Sequence, residues 1–125
     1  MKMLHGLFGN ATEVNNKELQ KDLEAILTND EQVVRAFRIV RDMFIFTDKR
    51  LILIDKQGLT GRKAEFHSIP YRSISHFSVE TAGSFDLDAE MKIYIASNPV
   101  PIEREFKRGT DIIGLQKTLA EFVLR

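Results

Sequence analysis

The 125-residue chain contains no cysteine. Disulfides, thiolate nucleophiles and thiolate metal sites are therefore excluded. It has no charge excess of either sign, because 18 Lys and Arg balance 18 Asp and Glu. Global charge thus gives no support for nucleic acid as a partner. Near-zero charge also leaves little colloidal repulsion, a condition compatible with self-association. No apolar run approaches the roughly 20 residues needed to span a bilayer. The apolar stretch after Lys2 is broken at His5, Gly6, Gly9 and Asn10, so no signal peptide is expected. These absences place the chain in the cytoplasm. The three histidines, His5, His67 and His76, are too scattered for a metal-ligand spacing. Ser75 and His76 are neighbours in a strand pattern, which directs their side chains to opposite faces and excludes a nucleophile–base pair. No glycine-rich phosphate loop follows a strand and opens a helix. Catalytic residues and cofactors are accordingly expected to be none.

What is present is a hydrophobic share of 43% and a charged share of 29%, ordinary values for one globular domain of this length. The organising stretch is Met43–Ile54, MFIFTDKRLILI. Two four-residue apolar runs, rich in aromatic and β-branched residues, flank Thr47-Asp48-Lys49-Arg50. Runs this short around a turn-forming Asp predict a β-hairpin. Four apolar residues in a row predict burial on both faces of each strand.

Met1, Met3, Leu4, Leu7 and Phe8 share one face of a short helical pattern. Leu4, Leu7 and Phe8 are candidate oligomer contacts; the competing reading docks this helix on its own domain. A second helix is predicted over Asn15–Leu27, capped by Asn15 with Glu18 three residues on, and with Leu19, Leu23, Ile26 and Leu27 on one face. Strands are predicted at Val33–Val40, in both halves of the hairpin, and at Ala64–Ile69, Ser73–Glu80, Asp86–Ala96 and Pro101–Phe106. A final helix carries the stripe Ile112, Leu115, Leu119, Phe122 and Val123, widened by Ile113, Ala120 and Leu124, with Thr110 or Asp111 as its cap.

Three groups could carry chemistry. Asp86, Asp88 and Glu90 stand at alternate positions of a predicted strand and so share a face, where they could hold a hard cation. The further ligands and the glycine of a calcium loop are missing, and a solvated strand face explains the group better. Lys56, Arg62 and Lys63 line the glycine-containing loop after the hairpin and could meet an anionic ligand or lipid headgroup. Tyr71 and Arg72, after Pro70, form either a structural corner or a subunit contact to the acidic strand.

Thr47-Asp48-Lys49-Arg50-Leu51-Ile52, Ile69-Pro70-Tyr71-Arg72-Ser73-Ile74 and the stretch Val79–Glu90, VETAGSFDLDAE, occur in this order. Together they resemble the bacterial pleckstrin-homology domain family over Leu27 to the C-terminus. The resemblance implies two nearly orthogonal antiparallel sheets closed by a C-terminal helix. It also implies homo-oligomerisation, often into rings, and no established enzymatic activity. Eukaryotic relatives of the fold bind inositol phosphates through a long basic loop between the first two strands. Here the corresponding link is only Arg41-Asp42, with Arg38 and Lys49 as neighbouring candidate ligand-binding residues, and this departure argues against that role.

The expected fold is mainly β with helices. It is a PH-like, partly open barrel of about seven antiparallel strands in two orthogonal sheets, capped by a C-terminal helix. Residues 1–29 form an N-terminal helical extension and residues 30–125 the PH-like domain. The expected function is a non-enzymatic interaction or scaffold domain that assembles with itself into a ring, a pentamer being one such ring. The alternative is a peripheral module for an anionic lipid headgroup or a peptide. A protein or peptide partner fits; nucleic acid does not, and membrane association is not expected.

Overall fold

The central hairpin forms as its composition dictates. Strand β2 (Asp42–Thr47) pairs antiparallel with β3 (Arg50–Gln57), setting Phe44 opposite Leu53 and Phe46 opposite Leu51, and between them Ile45 opposite Ile52. Side chains alternate between the faces of a strand, so eight apolar residues divide into two cores. Phe44, Phe46, Leu51 and Leu53 enter the main core; Met43, Ile45, Ile52 and Ile54 enter a second one. The structure, a computed structural model, describes residues 16–39, 42–57 and 63–125.

β1 (Val33–Ile39) flanks β2, and β4 (Lys63–Pro70) flanks β3, giving a four-stranded sheet in the order β1-β2-β3-β4. A three-residue 3-10 turn, Tyr71–Ser73, leads into β5 (Ile74–Thr81), β6 (Ala89–Ile95) and β7 (Ile102–Phe106), which form a second sheet in that order. All pairings are antiparallel. The seven expected strands are therefore present, in two sheets that do not close into a barrel. The main core lies between them and includes Phe37, Ile69, Met91, Ile93 and Phe106.

Helix α2 (Ile112–Val123) follows Gly109, whose φ of +94° suits a residue without a Cβ. Asp111 caps the helix by accepting from Gly114 N. Ile112, Leu115, Leu119 and Phe122 are buried in the main core, with Val123 half-buried. Burying these four residues contributes roughly 6–12 kcal/mol of gross transfer free energy, before the chain entropy that opposes it. Two residues expected to widen the stripe do not: Ile113 and Leu124 are exposed.

Helix α1 (Asn16–Ile26) sends Leu23 into the second core, on the outer face of the four-stranded sheet, and Leu27 packs beside it. Ile26, expected on the same face, is exposed. The short helix of Leu4, Leu7 and Phe8, the cap Asn15, and Val40, Arg41 and Arg62 lie outside the described residues, as does the side chain of Lys56.

Two strand expectations are corrected. β6 begins at Ala89, not Asp86. Leu87 N donates to Ser84 O and Arg108 N donates to the Asp88 carboxylate, so Asp86 and Asp88 belong to the β5–β6 turn. At the start of β5 the register slips between Ile74 and His76. One extra residue at such a bulge redirects a side chain, and Ser75 Oγ comes within 3.1 Å of His76 Nδ1, on the same side and not the opposite one.

Candidate functional site

The most connected polar group is a network that no motif announced. Glu31, 3% exposed, sits between α1 and β1. Its carboxylate accepts from Arg50 Nε at 2.8 Å and Arg50 Nη2 at 2.9 Å, from Thr47 Oγ1 at 2.6 Å and from Thr28 N at 3.1 Å. Burial pushes this carboxyl up, but the bonds from Arg50, Thr47 and Thr28 and the Arg50 charge outweigh it and hold the group below its usual range. Arg50 also donates to Ile26 O at the end of α1 and to Ser68 Oγ on β4. Thr47, fully buried, gives its one hydroxyl proton to Glu31 and accepts from Lys49 N and Arg50 N. The Tyr71 hydroxyl donates to Thr47 O at 2.6 Å, and its ring stacks on Phe122 at 4.5 Å. Burial, then the charges of Asp48 and Glu31, push the Tyr71 phenol well above its ordinary value. The network joins α1, the hairpin turn, β4 and α2, and it holds the fold together.

The structure places the candidate ligand residues at two ends. β1 and β3 end where β2 and β4 begin, so Arg38, the end of β3 that carries Lys56, and Lys63 lie towards one end of the four-stranded sheet. Lys49 lies at the opposite end, in the hairpin turn, ion-paired with Asp30 at 3.4 Å. There the peptide groups around Asp30, the Lys49 charge and the Thr28 hydroxyl hold the Asp30 carboxyl below its ordinary range. Tyr71 is tied to the hairpin turn through Thr47 O, and Arg72 is exposed beside it.

Asp86, Asp88 and Glu90 do not share a strand face. Asp86 takes the Ser84 hydroxyl, and Asp88 takes Arg108 N. Among the described residues no group of three His, Asp or Glu is arranged to hold a metal. Glu90 instead stands in a row that periodicity alone does not show. It is directly opposite Glu80 on β5 and Glu105 on β7, so three glutamates cross the whole second sheet side by side. The next row on the same face is Ser78, Lys92 and Glu103, and beyond it His76 stacks on Tyr94 at 4.1 Å. An open cleft of about 360 Å³ is lined by Glu80, Asp88, Glu90, Glu105 and Lys107 among others. This outer face can pair with cations or basic side chains. The signal that finds it is the strand register.

Seven strands in two sheets with a C-terminal helix across one end define a PH-like fold. The model of the family "Bacterial PH domain" matches residues 2–123, and the chain belongs to that family. It is 53% identical over 121 residues to the uncharacterized protein YjqA of Bacillus subtilis (strain 168), covering 96% of this chain and 97% of that one. Among solved structures it is similar to a pleckstrin homology domain from Shewanella amazonensis SB2B, with 54% identity, a TM-score of 0.81 and 94% of each chain covered. A DUF1696 family protein with a pleckstrin-homology domain from Shewanella loihica PV-4 is similar at 55% identity and a TM-score of 0.73, with 89% of this chain and 95% of that one covered.

Proposed function

We propose that this protein is a non-enzymatic interaction and scaffold domain of the cytoplasm that assembles with itself into a ring. The observation that carries this reading is β4. It is an edge of the four-stranded sheet, and from Lys63 to Ser68 every side chain but the half-buried Phe66 is exposed. A free edge offers backbone N–H and C=O groups that a strand of a second copy can extend. Joining one surface to a different surface of the next copy generates a ring when the rotation closes. A chain with no net charge presents little repulsion to such stacking. The non-catalytic part of the reading is supported by the fold, which generally serves as a binding module. No helix among the described residues is long and apolar enough to cross a membrane.

Light scattering coupled to gel filtration tests assembly. A mass that is a multiple of 14.4 kDa agrees with it, and a monomer at every concentration overturns it. The placement of Arg38 and Lys63 towards one end of the sheet favours a second reading, an anionic headgroup bound at that end. Flotation with anionic vesicles at low salt tests it, and protein left at the bottom of the gradient rules it out.

A further inference from the structure

The second sheet has two edges, and they differ. β7 is five residues long and follows Pro101, which has no N–H to give; its Arg104 reaches Asp42 and Asp55 of the other sheet. β5 is eight residues long, contains no proline or lysine, and pairs with β6 without interruption from His76 to Thr81. Proline, lysine and shortness are three protections of an edge, and β5 has none of them; its bulge is confined to its start, between Ile74 and His76, and α2 packs beside it. Among the described residues no strand pairs with its other side. Its side chains alternate after the bulge. Phe77 and Val79 are half-buried against the main core, while Ser78 and Glu80 are exposed.

Charge selects what fits there. Glu80 begins the row that continues through Glu90 to Glu105. A residue directly opposite Glu80 on an added strand would make this row one place longer. A carboxylate at that place would set another like charge beside three, whereas Lys or Arg would set an opposite charge against them. The neighbouring positions of the added strand would point to the other face, towards Phe77 and Val79, and suit apolar side chains. We propose that the free edge of β5 takes up an extended basic segment of a partner protein as an added strand. In that strand apolar residues lie beside Phe77 and Val79, and a Lys or Arg lies opposite Glu80. Backbone pairing supplies the docking, and the glutamate row supplies the choice of partner.

The probe is a fluorescent, end-blocked peptide of roughly eight residues, a typical strand length, alternating valine and lysine. Binding is read by anisotropy on the full chain and located by hydrogen exchange with mass spectrometry. The expected result is protection gained over residues 74–81. Affinity should fall about tenfold or more for Glu80→Lys, for the valine–glutamate peptide, and for a peptide N-methylated along its pairing edge. Glu80 is exposed, so the variant should keep its fold, which unchanged exchange in β6 and β7 confirms. Absence of binding, protection elsewhere, or equal affinity of the N-methylated peptide overturns the proposal. Mass measured on the same samples reads self-assembly separately. An unchanged mass with lost peptide binding supports a partner site, whereas a mass lowered by Glu80→Lys makes this edge a contact between copies and overturns it.

Discussion

Arg50 and Glu31, 19 positions apart, meet in a two-pronged ion pair, Nε on Oε2 at 2.8 Å and Nη2 on Oε1 at 2.9 Å. The carboxylate side is buried and the guanidinium side partly open, with side-chain exposures of 1% and 23%. The two partners are therefore not equivalent. Removing Arg50 leaves a buried anion, whereas neutralising Glu31 leaves a cation that water can still reach. Breaking a buried pair by deleting one member costs about 3–5 kcal/mol. We expect Arg50→Ala to approach that range and Glu31→Gln to cost clearly less. Urea unfolding measures both, and equal losses would refute the asymmetry.

The same pair sets a pH dependence. The Glu31 carboxyl is held below its ordinary value of 4.5 in the folded protein. The folded state thus binds the proton less well than the unfolded one, so the stabilisation is present above 4.5 and disappears as pH falls through the folded value. Unfolding midpoints should drop between about pH 5 and pH 3, and the drop should be shallower in Glu31→Gln. Parallel curves for the two proteins would show that other carboxylates carry the acid transition.

The hairpin at the centre of this network was legible from composition, because four consecutive apolar residues on each side of a turn require two buried faces. The network itself was not. Glu31 is a lone acid between a helix and a strand, and it meets Arg50 only because β1 pairs with β2, setting Val33 opposite Thr47, while the hairpin turn returns Arg50 beside Thr47. The acidic face shows the same limit. Alternation continues from Met91 back through Leu87, so Asp86 and Asp88 read as strand. The bond from Arg108 N to Asp88, 20 positions away, belongs instead to the turn before Ala89. Glu80 and Glu105 join Glu90 through register alone, and the bulge that brings Ser75 to His76 is a one-residue slip without a composition signal.

Tyr71 separates hydrogen bonding from stacking. Tyr71→Phe removes the bond to Thr47 O but keeps the ring on Phe122, and should cost about 1 kcal/mol. Tyr71→Ala removes both and should cost about 3–5 kcal/mol. Because the phenol is raised above 10.0 in the folded state, its contribution is full below pH 10.0 and is lost as pH rises through the folded value. Thermal unfolding of the two variants checks the order, and a phenylalanine as costly as an alanine would contradict the packing role.

Arg104 stands between two aspartates, 3.9 Å from Asp42 and 3.8 Å from Asp55. Arg104→Ala should lower stability by up to about 1 kcal/mol, as expected for partly exposed pairs. Asp55→Asn should recover part of that loss in the Arg104→Ala background. A double-mutant cycle reads the coupling, and additive losses would mean that the two side chains act independently.

Gly114 gives a case where helix propensity and capping oppose each other. Alanine is normally better than glycine inside a helix by about 1 kcal/mol. At Gly114, however, an added Cβ would lie 2.3 Å from Asp111 Oδ2, the carboxylate that accepts from Gly114 N. The carboxylate must swing away, and loss of such a cap costs about 1 kcal/mol. The two effects cancel, so Gly114→Ala should leave stability nearly unchanged or slightly reduced. In an Asp111→Ala background the carboxylate atoms that lie nearest the added Cβ are gone, and the same substitution should stabilise by about 1 kcal/mol. Thermal unfolding of the four proteins decides the matter. A stabilisation of equal size in both backgrounds would show that the cap is not what fixes glycine at this position.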